Sequence, residues 1–211
     1  MAILKYISVH HSGGLANDLY APTQNLTANQ VNEAHRLRWP NFISAMGKYT
    51  GYNIVILGDG SWVQTRALGE ETAHTKGFNT SAIGILLMGN FTLRAGTPVE
   101  KPTKEQEETY KILAMDLLMR NYSKFVVAPN TTFELKVANI YPHRFFNQTE
   151  CYGSYLDSNW ARNIINELVQ IKIAWIRKMI AFYQSLLDEQ RKKEFGRLVL
   201  QGNDLECLGH L

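Results

Sequence analysis

Short apolar runs that alternate with helices limit the fold of this chain more than any other feature of its sequence. Residues 4–10 (LKYISVH) and 81–91 (SAIGILLMGNF) are rich in β-branched and aromatic side chains, as buried strands are. Residues 51–66 form two apolar runs around an Asp-Gly pair at positions 59 and 60, which predicts a β-hairpin. The pattern predicts an α/β domain with a mixed central sheet flanked by helices.

Two helix starts lie between these strands. Thr27 with Gln30, and Thr103 with Gln106, have the spacing of a capping box, in which each side chain bonds to the other's backbone N–H. Both predicted helices follow these caps directly.

The sequence changes character after residue 156. From Asp157 there is no glycine or proline until Gly196, and Asp157 or Ser158 could cap a helix. Apolar residues recur there at helical spacing in two adjacent rows: Ile164, Leu168, Ile171, Trp175, Met179, Phe182 and Leu186, and Ile165, Val169, Ile176, Ile180, Tyr183 and Leu187. A face this wide should pack against the domain, another helix or another subunit. We therefore predict a catalytic domain at 1–156 and a helical C-terminal extension at 157–211.

Composition excludes several classes of protein. The net charge is only +3, and lysine and arginine are interleaved with acidic residues rather than gathered into the basic stripe of a nucleic-acid binder. The longest apolar-rich region, 164–187, is interrupted by charged residues, so stable membrane insertion is not expected.

No signal peptide is visible at the N-terminus, which predicts synthesis in the cytoplasm. Two cysteines, Cys151 and Cys207, make no disulfide framework, although one disulfide stays open.

One loop carries residues suited to metal chemistry. His143 and Cys151 lie in the segment PHRFFNQTECYG, and a neutral imidazole and a thiolate are both good zinc ligands. His10, at the end of the first strand, could supply a third ligand, whereas the side chain of His11 should point to the opposite face. Three protein ligands would leave one position open for water, as in hydrolytic zinc sites. These residues alone leave both a zinc site and ordinary structural roles open.

Three segments in order resemble a known family, the zinc amidases that include amidase-type phage lysozymes and peptidoglycan recognition proteins. The segments are VHHSG, the block from Gly51 to Phe91, and PHRFFNQTECYG, and the resemblance covers most of residues 4–156. It implies the family's α/β fold and one Zn²⁺ per chain, held by His10, His143 and Cys151.

The resemblance also implies roles for residues around the metal. Tyr52 falls on the tyrosine that lines the metal centre, and Thr149 falls where recognition-protein amidases carry threonine and phage lysozymes carry lysine. His74 falls on a histidine of the cleft that is not a ligand. Asn79 is a polar loop residue that could line the substrate groove or serve the loop alone. Tyr152 stands where proline is commoner, and no general base is named by the sequence.

The implied activity is zinc-dependent hydrolysis of the amide between N-acetylmuramic acid and L-alanine in peptidoglycan. The short single catalytic domain without a visible signal peptide favours a phage-type endolysin, a bacteriolytic enzyme that acts on the cell wall after release. The alternatives are a recognition module that binds peptidoglycan without cleaving it and a cytosolic wall-recycling amidase. Oligomerisation through the C-terminal helices is open.

Overall fold

The computed structural model describes residues 2–207, with side chains to residue 195. The strands are β1 (Ala2–Leu4), β2 (Tyr6–His11), β3 (Ile54–Ile56), β4 (Trp62–Gln64), β5 (Ala82–Leu87), β6 (Leu93–Arg94), β7 (Thr97–Pro98), β8 (Thr131–Phe133) and β9 (Ile140–Pro142). The helices are α1 (Ala28–Arg38), α2 (Lys104–Leu118), α3 (His143–Phe146) and α4 (Trp160–Cys207), with a short 3₁₀ turn at Val137–Asn139.

A five-stranded sheet organises the fold, in the order β4-β3-β5-β2-β9. β5 pairs in parallel with β2 and β3, β2 pairs in parallel with β9, and β4 runs antiparallel to β3. The predicted α/β fold with a mixed central sheet is therefore confirmed. The antiparallel β3–β4 pair is the hairpin that the Asp-Gly turn predicts.

The core lies on both faces of this sheet. All six residues of β5 are buried, as expected of a central parallel strand covered on both sides. Val31 of α1 packs with Val55, Leu86 and Met88 in one apolar cluster. On α2 the buried apolar residues are Tyr110, Leu113, Ala114 and Leu117.

Both predicted capping boxes are present. The backbone N–H of Gln30 donates to Thr27 Oγ1 at 3.3 Å, and that of Gln106 donates to Thr103 Oγ1 at 3.0 Å. The Gln106 side chain also donates to the Met88 carbonyl at 2.7 Å, so the second cap ties α2 to the end of β5.

The C-terminal segment forms one continuous helix, α4, which runs through Gly196. Its first helical residue is Trp160, and the Asp157 carboxylate accepts the backbone N–H of Asn159 at 2.7 Å, as a capping side chain does. Its first residues are anchored, since Ala161 and Ile165 are buried and the Tyr110 hydroxyl donates to the Ala161 carbonyl at 3.0 Å.

The chain divides into two compact units between Asn166 and Glu167, whereas the predicted domain boundary follows residue 156. In the second unit the predicted apolar rows are largely exposed; the exposed members are Ile171, Trp175, Ile176, Ile180, Phe182, Tyr183, Leu186 and Leu187. No helix within residues 2–207 combines the length and hydrophobicity needed to cross a bilayer.

Candidate metal site and adjoining groove

Two neighbouring parallel strands bring the candidate histidines together. Val9 of β2 pairs with Pro142 of β9, so the residues that follow them, His10 and His143, lie at the same edge of the sheet. Their ring centroids are 4.5 Å apart.

Cys151 reaches the same point from the loop after α3. The Arg144 backbone N–H donates to the Cys151 carbonyl at 2.7 Å, which folds the loop back onto α3. The Cys151 thiol is free and its Sγ lies 3.5 Å from His10 Nδ1. The possible ligand atoms of His10, His143 and Cys151 all lie within 4.8 Å of one another. The structure therefore brings together all three residues that the sequence nominates as metal ligands.

Hydrogen bonds on the far side of each ring set which nitrogen faces the group. Asn147 Nδ2 donates to the Lys76 carbonyl, so Asn147 Oδ1 is the atom that accepts from His143 Nε2 at 3.0 Å. His143 Nδ1 then carries the lone pair. His10 Nε2 contacts Ser8 Oγ at 3.0 Å, and its Nδ1 faces Cys151. Both imidazoles thus have Nδ1 available for a metal.

The ionisation of these groups fits a cation site. Burial lowers the pKa of His10 well below its usual value, with further lowering from His74 and His143, and burial also lowers the pKa of His143. Both rings are therefore neutral at pH 7, as metal ligands must be. Burial raises the pKa of the Cys151 thiol to about 12, so the thiolate needs a nearby cation to form.

The donor set suits one divalent metal of the zinc type. Two imidazole nitrogens and one thiolate are typical Zn²⁺ ligands, with bond lengths near 2.0–2.1 and about 2.3 Å, and the 3.5 Å separation of Nδ1 and Sγ agrees with tetrahedral coordination. Within residues 2–195 no fourth histidine, cysteine or carboxylate joins the group. Such a site keeps one position open for water or substrate.

His11 is not part of this group. Its Nδ1 accepts the Phe91 backbone N–H at 3.1 Å, and its ring packs 5.8 Å from the Phe91 ring. The difference between the two adjacent histidines follows from the alternation of side chains along β2.

Tyr52 stands beside the possible metal site, just before β3. Its ring centroid is 5.0 Å from that of His10 in an edge-to-face contact and 6.0 Å from that of His74 in a stacked one. Burial raises the pKa of the Tyr52 hydroxyl above its usual value, so it keeps its proton at neutral pH.

An open groove of about 520 Å³ reaches the candidate ligands at His143, which lines it. All four other nominated residues line it, namely Tyr52, His74, Asn79 and Thr149. Thr149 also accepts the Cys151 backbone N–H through Oγ1 at 3.3 Å. The groove lining also includes Arg38 and Trp39, at the C-terminal end of α1, which the sequence did not nominate.

His74 and Asn79 have structural partners as well as a place in the groove. Asn79 Oδ1 accepts the backbone N–H groups of His74 and Thr75 at 3.1 and 2.8 Å, which fixes the loop between them. His74 is buried, with Nδ1 2.6 Å from Thr75 Oγ1. Two buried hydroxyls behind His10, on Ser8 and Thr75, were not nominated. Ser8 could have been found from the period of two, which places it on the same strand face as His10.

Comparison with known proteins agrees with this geometry. The model of the N-acetylmuramoyl-L-alanine amidase family matches residues 2–154. The chain therefore belongs to this family, as the resemblance in the sequence implies. Comparison with curated proteins gave no match.

Solved structures show the same fold. The N-acetylmuramoyl-L-alanine amidase LysC from Clostridium intestinale is 23% identical, with a TM-score of 0.53 over 78% of this chain and 85% of that one. The Ph2119 endolysin from a Thermus scotoductus bacteriophage is 18% identical, with a TM-score of 0.52 over 78% and 86%. Drosophila PGRP-LB is also similar, at 22% identity and a TM-score of 0.45 over 74% and 78%.

Proposed function

We propose that the protein is a zinc-dependent N-acetylmuramoyl-L-alanine amidase that hydrolyses the amide between N-acetylmuramic acid and L-alanine in peptidoglycan. The observation that carries the proposal is the convergence of His10, His143 and Cys151, in a member of this amidase family, at the edge of an open groove. A merely structural metal site would want a fourth protein ligand and no groove beside it.

Three side chains would hold the metal. His10 and His143 would contribute Nδ1, and Cys151 would contribute its thiolate. Zinc, when bound, supplies Lewis acidity toward the amide carbonyl and a nucleophile at neutral pH. An amide is a poor electrophile, so both contributions are needed.

Tyr52 is our candidate for the oxyanion donor. Its raised pKa keeps the hydroxyl protonated, and its ring lies edge-to-face against that of His10. A hydroxyl so placed can donate to the carbonyl oxygen as negative charge develops there. One such donor is typically worth about 2.7–4 kcal/mol in the transition state.

Thr149, His74 and Asn79 would position the substrate and the attacking water. The Thr149 hydroxyl, two residues before Cys151, would orient water or the reacting carbonyl. His74 and Asn79 would contribute to binding the muropeptide through the groove wall that they share. A lysine-assisted mechanism at position 149 is not available to this chain, since that residue is threonine.

Mass spectrometry of digested peptidoglycan tests the activity directly. Full-length protein loaded with zinc should release stem peptides with a free L-alanine N-terminus and leave intact glycan. Metal analysis should find about one zinc per chain, and chelation should stop the reaction until zinc is restored.

The alternatives give different results in the same assay. A recognition module would co-sediment with peptidoglycan without releasing peptides, and a glycosidase would release reducing sugars. Turnover that survives complete zinc removal would contradict the proposal.

We further propose that residues 1–156 form the catalytic domain and 157–211 a helical extension, and that the protein is made in the cytoplasm and acts as a phage-type endolysin after release. Expression in bacteria should cause lysis only when the inner membrane is permeabilised. A wall-recycling amidase would instead prefer soluble muropeptides over intact sacculi. Oligomerisation through α4 stays a prediction, which light scattering after size-exclusion chromatography would test.

A further inference from the structure

Two buried hydroxyl groups lie directly behind the first candidate metal ligand. Ser8 is two residues before His10 on β2, so both side chains lie on the same face of the strand. Thr75 reaches this face from the loop that follows the hairpin. The exposed fractions of Ser8 and Thr75 are both 0%, and that of His10 is 1%.

We propose that Ser8 and Thr75 are positioning residues that lock His10 with Nε2 turned inward and Nδ1 presented to the metal. The proposal rests on the zinc site proposed above. It assigns a role to two side chains outside the group of ligands and outside the residues nominated for catalysis.

The Ser8 hydroxyl contacts both the Thr75 hydroxyl and the inner nitrogen of His10. The Thr75 hydroxyl donates to Ser8 Oγ at 2.9 Å, and His10 Nε2 lies 3.0 Å from the same oxygen. A serine oxygen has two lone pairs, so it can accept from both groups. We assign the His10 proton to Nε2, as donor to Ser8 Oγ, which leaves the lone pair on Nδ1, facing Cys151 Sγ at 3.5 Å.

His74 closes the network on its other side. Its Nδ1 lies 2.6 Å from Thr75 Oγ1 and 3.2 Å from His10 Nε2. Thr75 Oγ1 also lies 3.4 Å from His10 Nε2. The Thr75 hydroxyl therefore touches every polar atom that faces the inner nitrogen of His10.

The fold holds Thr75 at this point by two devices. Asn79 accepts the backbone N–H groups of both His74 and Thr75, so the loop cannot rotate freely. Gly84 lies opposite Ser8 in the β2–β5 register, and a Cβ there would lie 2.4 Å from the His74 ring. The absent side chain at Gly84 makes the space into which the loop packs.

Orientation of His10 matters because only one of its nitrogens can reach the other two ligands. With its inner hydrogen bonds removed, the ring would be free to adopt the other tautomer, which places the proton on Nδ1 and blocks metal binding. Loss of an outer hydrogen-bond partner of a ligating histidine typically costs about 10–100-fold in metal affinity.

The test measures Zn²⁺ affinity of the full-length chain by competition with a chromophoric chelator. Thr75→Val keeps the shape of the side chain and removes the hydroxyl, whereas Thr75→Ser keeps the hydroxyl and removes a methyl group. We expect Thr75→Val and Ser8→Ala to weaken Zn²⁺ binding about 10–100-fold, and Thr75→Ser to bind nearly as tightly as the parent chain. Absorption of the Co²⁺-loaded proteins should show a disturbed ligand field in the first two variants alone.

Each outcome separates this inference from the proposed function. A parent chain that binds no Zn²⁺ would overturn the zinc site itself. A parent chain that binds Zn²⁺, with Thr75→Val and Ser8→Ala equal to it in affinity and Co²⁺ spectrum, would overturn the positioning role alone. Equal losses in Thr75→Ser and Thr75→Val would assign the effect to packing and also overturn it. If Thr75→Val does not fold, Ser8→Ala against Ser8→Thr makes the same comparison.

Discussion

Two regions of this chain have regular apolar patterns, a continuous run in β5 and helical spacing in α4, but different environments. In the first unit, up to Asn166, the apolar runs are covered, and Ile85 of β5 has an exposed fraction of 0%. In the described part of α4 beyond Asn166, apolar residues recur just as regularly, yet Ile176 has an exposed fraction of 41%. An apolar pattern therefore predicts that an element forms and which side chains are apolar, but not what covers them.

The two units also differ in whether their described side chains can bind a metal. Within residues 2–195, the one group of side chains able to hold a metal lies in the first unit. We therefore expect substitutions in the first unit to affect metal binding, activity and stability, and matched substitutions in α4 beyond Asn166 to affect none of them.

The largest expected effect comes from removing a ligand. Cys151→Ala should abolish zinc binding and lower amidase activity by about 10³-fold or more, because several kcal/mol of transition-state stabilisation depend on the metal. Zinc content and peptide release measure the two effects. The matched change Ser185→Ala, at an exposed position of α4, should alter neither; a comparable loss there would give α4 a part in the reaction.

Tyr52→Phe should have the next largest effect. Loss of the hydroxyl should lower kcat by about 10²–10³-fold while zinc content stays the same, because the oxyanion donor acts on the transition state alone. Steady-state kinetics on a defined muropeptide measure it. Tyr183→Phe, at an exposed position of α4, also removes a tyrosine hydroxyl and should change neither kcat nor zinc content. Unchanged kcat in Tyr52→Phe would remove Tyr52 from the mechanism.

Much of the first unit follows from local chemistry in the sequence. The two capping boxes, the Asp-Gly hairpin and the β-branched runs each specify their element through nearest neighbours, and all are present in the structure. Of the three candidate ligands, His10 and His143 meet because strand ends in a parallel sheet share one edge, whereas Cys151 comes from a loop and joins the set through the family resemblance.

Other features depend on contacts that no local pattern encodes. Thr75 reaches His10 only because Gly84 lacks a side chain and Asn79 fixes the loop, and these residues are far from His10 in sequence. Arg38 and Trp39 become groove residues because the C-terminal end of α1 lies beside the groove.

Acid should destabilise the first unit through its buried histidines, of which His11 is the cleanest case because it is no candidate ligand. Burial, with a smaller contribution from Arg144, lowers its pKa from 6.5 to about 4 in the folded chain. Between these values the unfolded chain binds a proton that the folded chain does not, so stability is full above pH 6.5 and falls toward pH 4. At pH 5 the loss is about 2 kcal/mol.

Urea unfolding of the parent chain and of His11→Asn at pH 7 and pH 5 measures this effect. The asparagine oxygen can still accept the Phe91 N–H but does not titrate in this range. The drop in unfolding free energy between the two pH values should therefore be smaller in the variant. Equal drops would mean that His11 is already protonated at pH 5 in the folded chain, so that folding does not lower its pKa.

The smallest expected effect is the change in the free energy of unfolding when the same substitution is made in β5 and in α4. Ile85→Val and Ile176→Val remove the same methylene from residues that stay β-branched, so intrinsic backbone preferences change little. In β5 the change leaves a small cavity and should lower the free energy of unfolding by about 0.5–1.5 kcal/mol. In α4 the same change should stay within about 0.5 kcal/mol, because the side chain is already partly in water. Denaturant midpoints at constant m-value give both numbers.

A loss at Ile176 as large as that at Ile85 would mean that this face of α4 is covered in solution. Repeating the two measurements over a range of protein concentrations identifies the cover. A loss that grows with concentration assigns it to a second copy of the chain, because association stabilises the folded state by mass action. A loss independent of concentration assigns it to contacts within one chain. In either case the apolar rows of α4 would mark a buried surface, as the apolar run of β5 does, and the contrast between the two regions would disappear.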